Sequence, residues 1–123
     1  MSYDLAIWEG ERPASDTEAA EVFGQLVDRY LEQRIEEPTT PAIRSYVEAL
    51  LERWPDITVE GSEDSPWSVG PISYDNIGSF FYVPMRFDRA RAATEVAADL
   101  AASHGLVCFD PQTGKLRPFA GLA

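Results

Sequence analysis

A chain of 123 residues sits in the usual single-domain range of about 100 to 150, and its 45% apolar and 25% charged content excludes disordered, collagenous and membrane-spanning classes. The formal net charge of −11 repels phosphate backbones, so nucleic acid is excluded as a partner unless a local basic patch exists, and the sequence offers none. Cys108 is the sole cysteine, which rules out an internal disulfide and a thiolate metal cluster within one chain.

Tyr3 to Trp8 alternates, with Tyr3, Leu5 and Ile7 on one face and Asp4, Ala6 and Trp8 on the other, as in a half-buried strand. Glu9 to Pro13 breaks it. Ser15 followed by Glu18 forms a capping box, and the spacing predicts a helix over 16–34 whose stripe is Val22, Phe23, Leu26, Val27, Tyr30 and Leu31, with acids opposite. After Glu36-Glu37-Pro38, the pair Thr40-Pro41 starts a second helix carrying Ile43, Tyr46, Val47, Leu50, Leu51 and Trp54. Pro55 stops that helix, and 56–66 reads as a polar connection, the least ordered stretch expected.

Trp67 to Tyr74 reads as a short strand, turned at Asp75-Asn76-Ile77-Gly78 into a stronger one over 79–87, so the two should pair as an antiparallel hairpin. Phe81, Val83, Met85 and Phe87 share one face of the stronger strand, while Phe80, Tyr82, Pro84 and Arg86 share the other. Pro84 marks an edge, a bulge or an inter-strand gap. Asp88 caps a third helix with Ala90, Ala93, Val96, Ala97, Leu100 and Ala101 inward and Gly105 as its stop. Leu106 to Phe109 and Lys115 to Arg117 are strands joined by a tight turn over 110–114. The order β-α-α-β-β-α-β-β predicts an α+β domain spanning 1–123: a ferredoxin-like, split β-α-β sheet, rich in antiparallel pairs, with its helices on one face. One bare sheet face, or a sheet edge, would then suit a homodimer.

Catalytic groups are scarce. His104 and Cys108 would form a nucleophile and base only if they converged in an open cleft; the favoured reading is a histidine satisfying the end of a helix and a thiol in a core strand. Asp56 to Asp64 is a loose imitation of a calcium loop, and Gly114-Lys115 lacks the rest of a phosphate loop. No metal or cofactor is expected. With no long apolar run, no basic leader in Met1-Ser2-Tyr3-Asp4, and no membrane span, the expected compartment is the cytoplasm.

The charge is lopsided: residues 1–64 hold 16 acids and 5 bases, whereas 65–123 hold 5 and 5. An acidic surface with aromatic groups such as Trp8, Trp54 and Trp67 nearby would steer and anchor a basic protein. The opening Met1-Ser2-Tyr3-Asp4-Leu5, the helix from Thr40-Pro41 to Trp54-Pro55, and the closing segment from Ala102-Ser103-His104-Gly105 through Leu106-Val107-Cys108-Phe109 to Asp110-Pro111-Gln112 resemble a group of small uncharacterised bacterial proteins. That resemblance covers nearly the whole chain and implies an immunity protein that neutralises a polymorphic toxin, with no catalytic residues attached.

The expected function is therefore a non-enzymatic protein-binding module of immunity type, directed at a cognate basic toxin. Its expected contact residues are Glu9, Glu11, Glu36, Glu37, Glu60, Glu63, Asp64 and Trp67. The alternative is a small-molecule binding or sensing domain in which Phe80, Tyr82 and Arg86 face a ligand; a small enzyme is the third and weakest reading.

Overall fold

Leu5-Ala6-Ile7-Trp8 carries no charge on either face of an extended chain, so a strand built from it has two apolar surfaces to bury. In the computed structural model, which describes residues 2–60, 65–72 and 74–117, all four are buried inside strand β1 (Ser2–Trp8). β1 pairs antiparallel with β2 (Phe80–Arg86), in a register running from Ser2 opposite Arg86 to Trp8 opposite Phe80. On its other side β1 pairs antiparallel with β3 (Val107–Asp110), and β3 with β4 (Lys115–Arg117), so the sheet order is β2-β1-β3-β4.

Three α-helices, α1 (Asp16–Leu26), α2 (Pro41–Arg53) and α3 (Ala90–Ser103), cover this sheet. Leu5, Ile7, Val83, Met85 and Cys108 pack with Ile43, Tyr46, Val47 and Leu50 of α2 and with the alanines of α3. Ala6, Trp8, Phe80, Val107 and Phe109 pack with Ala19, Val22, Phe23 and Leu26 of α1. The helices therefore lie on both faces, which corrects the expectation of a single helical layer. The reason is in the strands: alternation in β1, β2 and β3 leaves apolar side chains on each side, and a bare second face would have exposed Trp8, Phe80 and Phe109 to water. The open-face argument for a homodimer falls with it.

Two further expectations change. Residues 67–72 do not form a strand; Trp67 makes one antiparallel bridge to Met85, with Ser68 N–H donating to the Pro84 carbonyl at 3.2 Å and Arg86 N–H to the Pro66 carbonyl at 2.6 Å. Pro66, Gly70 and Pro71 interrupt the ladder donors and the extended geometry that a full strand needs. The hairpin reduces to a short cover on the β2 edge, and the observed order is β-α-α-β-α-β-β. Asp88 does not cap α3: it lies in a 3-10 turn (Phe87–Arg89) and pairs with Arg86 at 2.9 Å instead. The Phe87 side chain and Ser73 lie outside what is described.

Elsewhere local chemistry sets the boundaries as expected. The Ser15 hydroxyl accepts from Glu18 N–H at 3.1 Å, and the Glu18 carboxylate accepts from Ala14 N–H at 3.0 Å. Thr40 caps α2 with Pro41 at its first position, and Trp54 turns extended before Pro55. Gly105, at φ 70°, ends α3 while Leu106 N–H reaches back to the Ala101 carbonyl at 2.8 Å. Among the described residues no helix is long and apolar enough to cross a membrane.

Candidate functional site: an acidic layer and its groove

Residues 9–37, which form α1 and its two flanking segments, hold nine carboxylates against the three arginines Arg12, Arg29 and Arg34. Eight of the nine are exposed, and Glu37 is half-buried. On the opposite side of the sheet, α2 carries Glu48 and Glu52 against Arg44 and Arg53, and α3 carries Glu95 and Asp99 against Arg91. Nine of the sixteen acids of residues 1–64 thus gather in α1 and its flanking segments, while Glu48, Glu52, Asp56 and Glu60 lie on α2 or in the connection that follows it.

The α1 layer is irregular where it ends. After Leu26 the chain winds as a π-helical segment (Val27–Glu32), with Gln33 N–H donating to the Asp28 carbonyl at 2.8 Å. The wider turn changes which residues face the sheet. Tyr30 stays inward, stacked on Phe80 with ring centroids 6.1 Å apart, whereas Leu31, which an uninterrupted α-helix would keep in the apolar stripe, is 45% exposed. Arg34 then takes φ 56° and ends the winding, as Ile35 N–H reaches back to the Arg29 carbonyl at 3.1 Å. The expected helix over 16–34 is therefore an α-helix followed by a π turn.

Glu37 holds this end in place. Its carboxylate accepts from the Tyr30 hydroxyl at 2.5 Å and pairs with Arg29, while its backbone bonds Asn76 and Gly78 across the 75–78 turn. Those two partners, Tyr30 first and then Arg29, hold the Glu37 carboxyl below its ordinary range. Between the π segment, the 75–77 turn and the start of β2 lies an open groove of about 320 Å³. Tyr30, Leu31, Ile35, Ile77 and Tyr82 give it an apolar lining, and Arg34, Glu36 and Asp75 give it charge.

The expected contact residues do not gather into one patch. Glu9, Glu36 and Glu37 lie around the Phe80 end of β2, with Glu9 N–H bonded to the Ser79 carbonyl at 3.0 Å. Glu11 is drawn toward the far edge of the sheet, since its neighbour Arg12 donates to the Arg117 carbonyl at 3.3 Å. Glu60 lies beside Trp67 and Arg86 at the other end of β2, roughly 20 Å away at strand spacing. Glu63 and Asp64 fall outside the described residues. Trp67 is not a surface anchor: it is 1% exposed, its indole N–H donates to the Trp54 carbonyl at 2.8 Å, and it meets the Trp54 ring edge-on. The acids of α1 and the apolar pair Leu31 and Ile35 are absent from the expected contacts, which lie in loops; the acidic outer face of the 16–34 segment was their signal.

The remaining candidates have structural partners. Phe80 and Tyr82 lie under α1 and the π segment, stacked with Tyr30 and Phe23, so that sheet face is largely covered and opens where both line the groove beside Tyr30 and Leu31. His104 Nδ1 bonds the Leu100 carbonyl at 2.8 Å, at the end of α3. Cys108 is buried, and that burial pushes its thiol up to about 12. Asp56 accepts from Ile72 N–H at 2.6 Å and from Thr58 N–H at 3.0 Å, which ties the exit of α2 to Ile72.

No family model matches the chain, and neither a curated protein nor a solved structure matches it.

Proposed function

We propose that this protein is a non-enzymatic binding module of immunity type, which neutralises a cognate basic toxin in the cytoplasm through its acidic α1 layer. The observation that carries the reading is the segregation of charge: nine carboxylates against three arginines in residues 9–37, over one face of a sheet whose other helices are nearly balanced. A surface of one sign speeds encounter with an oppositely charged protein and disfavours partners of its own sign. The resemblance of the first, central and last segments to a group of small uncharacterised bacterial proteins, which implies an immunity role, accords with this reading.

A partial ferredoxin-like relation accompanies this proposal. β2 and β3 both run antiparallel to β1 and are joined by α3, which supports one split β-α-β unit around β1.

Co-expression with the product of the adjacent gene tests the function. The expected result is a complex that survives purification, together with rescue of cells that express that product alone. A toxic neighbour that neither binds nor is neutralised by this chain would remove the proposal.

A further inference from the structure

The π turn leaves two large apolar side chains in water beside a groove, and this is costly unless something covers them. Leu31 is 45% exposed and Ile35 37% exposed; both line the groove, with Tyr30, Ile77 and Tyr82 beneath them. The backbone there is also unusual. The two non-glycine residues with positive φ among those described, Arg34 at 56° and Asn76 at 59°, both line the same groove, next to the π segment. Such departures from regular geometry collect where binding is selected over stability.

Resting on the reading of an acidic binding module, we propose that this groove is its docking centre, and that it receives an apolar or aromatic side chain from a basic segment of a protein partner. Size and charge select that occupant. A volume of about 320 Å³ lies at the lower limit of small-ligand sites, which span roughly 300–1,000 Å³, and suits one large side chain. Glu36 and Asp75 line the groove against Arg34, with Arg44 3.6 Å from Asp75, and Asp28 and Glu32 stand exposed on the π segment, so lysines or arginines flanking the inserted side chain meet more carboxylates than cations. A second copy of a chain with net charge −11 brings like charge to the same place, and nucleic acid brings more. An apolar anchor surrounded by complementary charge is the usual division between affinity and steering at protein interfaces.

Two synthetic pentapeptides test this with the full chain: one with a tryptophan between two pairs of basic residues, and its alanine counterpart. The tryptophan peptide should shift the amide resonances of Leu31, Ile35, Asn76 and Ile77 saturably, and the alanine peptide should bind at least tenfold more weakly. Leu31→Arg and Ile35→Arg should each weaken the tryptophan peptide tenfold or more, while Val69→Arg, at an exposed site outside the groove, should not. Circular dichroism checks the fold of each variant, and Leu31→Ser repeats the test if arginine lowers the melting temperature.

Equal affinity for both peptides, with shifts spread along α1, would overturn the proposal in favour of charge alone. So would absence of saturable binding at millimolar peptide, a self-association abolished by Leu31→Arg, or equal binding of a free cationic indole. The two readings separate cleanly: a toxin that still binds Leu31→Arg at full affinity overturns the groove and leaves the immunity reading standing, whereas a wild-type chain without a toxin complex overturns that reading and leaves the peptide result to decide the groove.

Discussion

The Tyr3 hydroxyl donates to Asp110 Oδ2 at 2.5 Å, so the first strand is tied to the last hairpin across 107 positions of sequence. Asp110 is fully buried, and a buried carboxylate is tolerated only when its oxygens are partnered. Its Oδ1 accepts from Gln112 N–H at 3.0 Å, Gln112 Nε2 at 2.8 Å and Thr113 N–H at 3.3 Å, and Arg117 lies 3.7 Å from Oδ2. Tyr3→Phe removes one partner from a group that water cannot reach, and urea unfolding should record a loss of about 1–3 kcal/mol. Asp110→Ala removes the shared acceptor of Tyr3, Gln112 and Thr113 and the carboxylate beside Arg117, and should cost about 3–5 kcal/mol. Wild-type stability in Tyr3→Phe would contradict this account.

Alkaline pH should unfold the protein through the same corner. Burial first, then the bond to Asp110 and its charge, raise the Tyr3 phenol from 10.0 to about 12, and burial raises the Cys108 thiol from 9.0 to about 12. In both the folded state favours the neutral form, so each contribution is complete below the unfolded value and declines as pH rises toward about 12. The thiol contribution begins to fall near pH 9 and the phenol contribution near pH 10. Unfolding curves across that window should lose stability steadily, and a disulfide reagent at neutral pH should label native Cys108 far more slowly than the urea-unfolded chain. Equal rates would mean an exposed thiolate and reopen the pairing of Cys108 with His104.

Much of this fold was readable from local chemistry because caps, turns and stripes are written in short stretches. Ser15, Thr40-Pro41, Pro55 and Gly105 set the helix limits where expected, and the β2 and β3 runs are strands. What escaped depends on distant partners. Trp8, Phe80 and Phe109 are large aromatics on the side of the sheet opposite α2 and α3, and read together they announce a second helical layer; read strand by strand they pass as ordinary alternation. The π turn has no composition signal, since Val27 to Glu32 continues an acceptable α-helical stripe and departs from it where Tyr30 meets Glu37 and the 75–78 turn. That departure exposes Leu31, so the groove was hidden for the same reason.

Two glycines should answer substitution with opposite signs. Gly78 has φ +63°, and an added Cβ would sit 2.8 Å from the Tyr30 hydroxyl oxygen and 2.9 Å from its ring. Gly78→Ala therefore combines backbone strain of about 1–3 kcal/mol with displacement of the ring that holds Glu37, and thermal denaturation should show a clear fall in melting temperature. Gly24 lies in the interior of α1, where an added methyl group would meet nothing within 4 Å, so Gly24→Ala should stabilise by about 0.5–1 kcal/mol. Similar effects from both would mean that the contact with Tyr30 is not rigid.

Trp67 separates core from interface. With its ring buried in the α2 and α3 layer and its N–H bonded to the Trp54 carbonyl, Trp67→Ala should cost about 3–5 kcal/mol in chemical unfolding. Partner association, measured under conditions where the variant remains folded, should be unchanged. A binding defect in a folded Trp67→Phe variant would restore Trp67 as an anchor.

Charge reversal asks which face meets the partner. Asp28→Lys with Glu32→Lys changes the acidic layer by four charges, and Glu48→Lys with Glu52→Lys makes the same change on the exposed side of α2, across the sheet. Because steering depends on where charge lies and not on its total, the first pair should slow association with the basic partner about tenfold at low salt and flatten its salt dependence. The second pair should leave a salt dependence close to that of the wild type, although the net charge is the same in both variants. Stopped-flow association at several ionic strengths distinguishes them. Equal slowing by the two pairs would show that total charge matters and the acidic layer does not, and the α1 face would lose its claim to be the docking surface.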